Sequence, residues 1–197
     1  MTASASTTLP PTRREEVLRF LAERRSVPAK TLAAPGPDRA TVSEMLQLAS
    51  RVPDHGKLAP WRFIVVEAEA RERLGALAEA RAERLGHDPL KARKSVTDGP
   101  VMVTVIAAPR PSEKIPAIEQ VLSAGCVCLS LVNAALAMGW GANWLSGWLA
   151  YDRQFMEDAL SLSEHESIVG FIHIGTAQIA PAERDRPNAE AITTFLG

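Results

Sequence analysis

Apolar positions along the chain change period repeatedly, and each change marks an element. Val17, Leu18, Phe20 and Leu21 share one helical face that stops at Arg24 and Arg25, and Thr12 and Glu15 have the spacing of a capping box. A Pro-rich connection through Pro28, Pro35 and Pro37 leads to a second helix carrying Val42, Met45, Leu46, Leu48 and Ala49, capped by Thr41 or Ser43 and stopped by Pro53. Residues 62–67 are short, β-branched and bounded by turn residues, which predicts a buried strand. A third helix follows, with Leu74, Leu77, Ala78 and Leu85 on one face. It has Glu67–Arg71 and Glu69–Arg73 in the favourable i, i+4 order and Gly86 at the C′ position. Residues 101–106 predict a second strand, 153–160 a short helix and 168–174 a third strand, and a polar tail closes the chain. Pro116 opens a long uncharged helix that Gly139 stops, and the Gly- and Trp-rich stretch 140–148 interrupts the pattern. Strands separated by helices of unequal length predict a layered α/β or α+β domain without internal repeats.

Charge and composition narrow the classes. With 22 Lys and Arg against 23 Asp and Glu the net charge is −1, so no global field draws the chain to nucleic acid or to an anionic membrane. An apolar content of 46% with 23% charged residues is that of a globular protein. Two cysteines in 197 residues exclude a disulfide-stapled secreted scaffold and fit a reducing cytoplasm. Residues 1–11 are Ser/Thr-rich without the basic and apolar regions of a secretory signal. They read as a disordered tip ahead of a single domain over 12–197. Residues 121–138 carry no charge and are long enough to span a bilayer, but Ser123, Gly125, Ser130 and Asn133 interrupt them and neither flank has a strong Lys/Arg bias. The expectation is no membrane span, but a core helix buried on all sides.

Four stretches could carry chemistry. Arg24-Arg25-Ser26 places two guanidiniums and a hydroxyl at a helix end, a multidentate site for a phosphate monoester or a complement to the helix dipole. In Pro53-Asp54-His55-Gly56 the loop either binds a ligand or uses Asp54 as a turn cap with His55 bonded locally. Trp140–Gly147 could let backbone amides approach a planar or charged ligand, and it is no dinucleotide fingerprint, because it follows a helix and lacks the third glycine. Arg184 and Arg186 are either solvated tail charge or further phosphate ligands. Cys126 and Cys128 are two apart on a helix, point to nearly opposite faces and read as buried structural thiols. His55, His87, His165 and His173 have no metal-ligand spacing, and no serine lies in a nucleophile elbow.

Taken together, Arg24-Arg25-Ser26, the loop from Val52 to Pro60-Trp61 and Trp144-Leu145-Ser146-Gly147 resemble, in order and separation, the motifs of the nitroreductase family, in its small bacterial branch. The resemblance covers almost everything after residue 12. It implies an α+β fold with a mainly antiparallel central sheet flanked by helices, in an intertwined homodimer with one FMN in each of two interface clefts. It further implies hydride transfer from NADH or NADPH through flavin N5 to a small oxidised acceptor such as a nitroaromatic or quinone. Binding of FMN without catalysis, as in flavin storage, is the alternative. Within this resemblance Arg24, Arg25 and Ser26 bind phosphate and ribityl groups, Arg51 and His55 contact flavin, and Asp54 fixes the loop. Trp144, Leu145, Ser146 and Gly147 lie beside the flavin from the other subunit, and Arg184 or Arg186, preferentially Arg186, reaches the phosphate. Pro28 stands where many larger members carry a basic residue aimed at the flavin pyrimidine edge, which leaves Lys30, Arg51 and Lys57 as candidates for that charge. No catalytic side chain is expected, since flavin N5 carries the hydride.

Overall fold

The computed structural model describes residues 12–197, and the expected disordered tip at 1–11 lies outside the described residues. Five strands form one antiparallel sheet: β1 (Leu32–Ala33), β2 (Trp61–Val66), β3 (Val101–Ala107), β4 (Gly141–Leu145) and β5 (Ser167–Ala177). β5 is the axis. It pairs with β3 along one edge and with β4 and then β1 along the other, while β2 pairs with the far side of β3. Both edges of β5 are therefore covered, and its run from Gly170 to Gly175 is buried.

Alternation along the strands divides the core into two layers. Met102, Ile106 and Phe171 face α3 (Ala68–Leu85), α4 (Pro89–Thr97) and α6 (Arg153–Leu160). Val103, Val105, Ile172 and Ile174 face α2 (Arg39–Ala49) and α5 (Ala117–Ala137). α1 (Glu15–Glu23) buries nothing within the described chain and leaves Val17, Leu18 and Leu21 exposed.

Local chemistry corrects the expected termini. Arg14 precedes α1 without a side-chain cap, so Thr12 and Glu15 form no capping box. α2 is capped by Asp38, whose carboxylate accepts the Thr41 amide at 2.8 Å. Asp can sit in extended backbone just ahead of the helix, whereas Thr41 and Ser43 are already inside it. Glu67 pairs with Arg39 rather than Arg71, because it precedes α3 in extended backbone and Arg71 is drawn to the Gly99 carbonyl. Gly86 ends α3 at φ 70, as expected of a C′ glycine, and Leu85 beside it is exposed. α4 has no counterpart in the periodicity reading, although Asp88 and Pro89 mark its start: Asp88 accepts the Lys91 amide at 3.0 Å. β4 occupies the stretch read as an interruption, since glycine at 141 is required there by Leu32 and Ala177 packing on it.

α5 matches its expected span but not its expected burial. Val127, Cys128 and Leu131 are fully buried, whereas Ile118, Leu122 and Leu129 are exposed, Leu129 at 49%. Its uncharged surface thus forms a stripe left exposed among the described residues. Cys126 lies on that stripe and is exposed, which corrects its expected burial. Cys128 is buried, and desolvation pushes its thiol up to about 12.

Candidate active site: a cationic cleft between the first helix and the tail

α1 unwinds at Arg24, and the Val27 amide then donates to the Ala142 carbonyl at 2.9 Å, laying Arg24–Ser26 beside the start of β4. After β5 the tail returns to the same place, with the Gln178 amide donating to the Thr31 carbonyl at 3.1 Å. The result is a cleft of about 660 Å³ walled by Arg24, Arg25, Ser26, Asn143, Trp144, Arg184 and Arg186. Four guanidiniums from two ends of the chain converge there. Glu183, which the sequence reading did not single out, partly balances them: its carboxylate accepts from Arg25 at 3.0 Å and Arg186 at 3.2 Å. The Arg184 amide, then Arg25 and Arg186, hold the Glu183 carboxyl below its ordinary range. Among the described residues the buried Arg24 Nε has no hydrogen-bond partner, and its Nη2 reaches the Ser26 hydroxyl only at 3.4 Å. A buried cationic donor without an acceptor is costly, so this wall is shaped for an anion.

Trp144 closes one side. Its indole N–H donates to the Val169 carbonyl at 3.2 Å, and the ring lies over Gly170, where any Cβ would collide with it. Through the Val27–Ala142 contact, Trp144 stands beside Arg24–Ser26 in the cleft of its own chain. Beyond it Leu145, Ser146 and Gly147 wall a second cleft of about 860 Å³ together with Lys30, Lys91, Lys94, Ser95 and Asp98. Of the three candidates for a pyrimidine-edge charge, Lys30 is the one in this cleft, while Arg51 and Lys57 are not among its lining residues. Lys91 and Lys94 belong to a helix that apolar periodicity does not mark; its signal in the sequence is Asp88-Pro89, a helix start.

The loop after α2 is built elsewhere. Asp54 accepts the Leu58 amide at 3.1 Å and the Ala59 amide at 2.9 Å, which fixes a turn with Gly56, Lys57 and Ala59 all at positive φ. His55 Nδ1 lies 2.8 Å from a Glu119 carboxylate oxygen, and the Ser123 hydroxyl donates to the Pro53 carbonyl, so the loop is bound to the first turns of α5. Gly56 is needed here twice over, for its φ of 71 and because a Cβ would meet Ile115. Arg51 and His55 are exposed and line neither cleft; one chain does not bring them to Arg24–Ser26. Among the described residues no cluster of His, Cys, Asp and Glu could hold a metal ion.

Fold and cleft together define an α+β protein with a cationic cleft between its first helix and its tail. The sequence profile of the Nitroreductase family matches residues 21–176, and the chain belongs to that family and is an oxidoreductase. It is 37% identical over 185 residues to "Putative NAD(P)H nitroreductase YdjA" of Escherichia coli (strain K12), covering 92% of this chain and 100% of that protein. In three dimensions it is similar to a nitroreductase-like family protein of Bacillus cereus, with a TM-score of 0.78 and 23% identity over 95% of this chain and 99% of the other. A Desulfovibrio desulfuricans structure of the same fold, solved in complex with FMN, has a TM-score of 0.72 and 20% identity over 94% of this chain and 99% of that one.

Proposed function

We propose that residues 12–197 act as a single FMN-binding domain of a homodimeric, cytoplasmic NAD(P)H oxidoreductase that reduces small oxidised acceptors such as nitroaromatics or quinones. The observation that carries the reading is the orphaned Arg24 Nε at the head of a cleft where Arg25, Arg184 and Arg186 converge. A phosphate monoester supplies the acceptors this donor lacks, and a carboxylate, Glu183, already occupies part of the same field. FMN therefore fits the residues present: Arg24, Arg25, Ser26, Arg184 and Arg186 would hold its phosphate end, and Trp144, Leu145, Ser146 and Gly147 would flank its ring. When bound, FMN supplies a two-electron centre able to take hydride from a nicotinamide and pass it to an acceptor.

The remaining chemistry belongs to the chain. Trp144 covers one side of the first cleft, and in the second Lys30, Lys91 and Lys94 outweigh Asp88 and Asp98, a net positive wall that favours added electron density. No protein nucleophile or acid–base pair is required. Arg51 and His55 lie outside both clefts of their own chain. They reach a flavin only from a second copy, which the exposed apolar stripes of α1 and α5 support.

An absorbance spectrum of the purified protein, followed by anaerobic NADH and then NADPH, tests the reading. A yellow preparation that bleaches with either nucleotide and recolours with a nitroaromatic or quinone is expected. A colourless protein that stays colourless with FMN overturns it, and one that binds FMN but does not bleach is a flavin-storage protein instead.

A further inference from the structure

Behind the second cleft the imidazole of His173 meets two main-chain carbonyls at once. His173 is fully buried in the middle of β5, between Met102 of β3 and Asn143 of β4. Its Nε2 lies 3.0 Å from the Ser95 carbonyl, and its Nδ1 is in hydrogen-bond contact with the Asp98 carbonyl. Ser95 belongs to the last turn of α4, where helical carbonyls have no partner within the helix. The sheet thus supplies the cap that α4 lacks. Ser95 and Asp98 also line the cleft, beside Lys91 and Lys94 of the same helix.

A neutral imidazole donates one N–H, whereas protonation would serve both carbonyls at the cost of a buried charge. Burial holds this imidazole below its ordinary value, against the pull of the two carbonyls and of the Asp98 carboxylate. Arg71 of α3, bonded to the adjacent Gly99 carbonyl, works in the same direction as burial, and the cross-strand neighbours Met102 and Asn143 are uncharged.

We propose that His173 is a positioning residue: from inside the sheet it caps the C-terminal end of α4 and so sets Lys91 and Lys94 against Leu145, Ser146 and Gly147. It tunes the ring end of the flavin cleft without touching flavin. The inference rests on the flavin reading of the cleft, and riboflavin, which lacks the phosphate, reads the ring end alone. His173→Gln retains one donor. It is expected to weaken FMN and riboflavin binding by the same factor, about two- to tenfold, the range of one net hydrogen bond. In a Lys91→Met/Lys94→Met background the same substitution is expected to change neither affinity, since the groups it positions are gone. An equal loss in both backgrounds, or no loss in either, overturns the proposal. If unsubstituted protein binds neither FMN nor riboflavin, the flavin reading itself has failed. If His173→Gln does not fold, the Lys91→Met/Lys94→Met protein decides: weaker riboflavin binding than in the unsubstituted protein supports the proposal, and unchanged riboflavin binding overturns it, since the groups His173 would position then do nothing at the ring end.

Discussion

Replacing Arg24 by Met separates what the cleft does for binding from what it does for folding. In the chain alone, Arg24 makes one long contact, 3.4 Å to the Ser26 hydroxyl, and its Nε is buried without an acceptor. Its guanidinium contributes little to the flavin-free fold. A charged hydrogen bond to phosphate is worth about 1.5–3 kcal/mol, and 1.4 kcal/mol is tenfold in affinity, so Arg24→Met should raise the Kd for FMN by roughly 10- to 150-fold. Riboflavin, without the phosphate, should bind the variant and the unsubstituted protein alike. The melting temperature of the flavin-free variant should stay level or rise, because Met keeps the apolar stem and removes the unsatisfied donor. Quenching of flavin fluorescence on titration gives both affinities. Equal loss of FMN and riboflavin binding would refute the phosphate assignment, and a large drop in flavin-free melting temperature would show that Arg24 is structural.

Other substitutions probe the walls, the pH response and the assembly. Glu183→Gln removes the carboxylate shared by Arg25 and Arg186 and should tighten FMN in the same titration; weaker binding would mean that Glu183 orients the arginines for the ligand. Gly170→Ala drives a methyl into the Trp144 indole and should lower both melting temperature and flavin affinity, with Trp144→Ala in the same chain restoring the melting temperature. Glu166 is nearly buried, and its hydrogen bond to Arg62 lowers its carboxyl from the ordinary 4.5 to about 2. Its stabilising contribution is therefore complete above pH 4.5 and lost as pH falls toward 2, and thermal melts between pH 6 and 3 should lose that acid limb in Glu166→Gln. Leu129→Glu places a charge on the exposed stripe of α5 and should give a folded monomer by sedimentation that has lost flavin affinity; a variant that stays dimeric would clear α5 of the interface.

What could be read from the sequence was whatever is local. Residues 153–160 coincide with α6, Gly86 is the left-handed stop of α3, and the β-branched runs 62–67, 101–106 and 168–174 overlap the strands at 61–66, 101–107 and 167–177, because period, caps and turn residues act within a few positions. β1 is two residues long and exists because β5 overshoots to Ala177, which no local pattern announces. β4 has the sequence Gly-Ala-Asn-Trp-Leu and becomes a strand through pairing with β5, an instance of tertiary context overriding propensity. At the site, Arg24, Arg25 and Ser26 are contiguous and legible, whereas their meeting with Arg184 and Arg186 depends on a tail that crosses back over Thr31. Glu183 and the α4 lysines are ordinary surface residues in one dimension. Their placement becomes visible only once β5 and α4 have brought them to the cleft.

Rich as they are in charge, the two clefts have no histidine among their described walls. Their cations come in two sets, guanidiniums at the α1 end and ammonium groups beyond Trp144, with Glu183 the one carboxylate bonded to the first set among the described residues. Arg suits a site that grips a phosphate through several fixed donors, and Lys, a compact charge on a flexible stem, suits a site that raises local potential without dictating geometry. A protein that performed proton transfer with its own side chains would need groups whose charge changes near neutral pH at the cleft wall. Of the four histidines, His173 is sealed in the sheet behind it, His55 is tied to α5, His165 lies in the turn before β5, and His87 stacks on Trp148 with ring centroids 4.4 Å apart. Permanent cations and a buried neutral imidazole make a holder, and the reactivity is left to what is held.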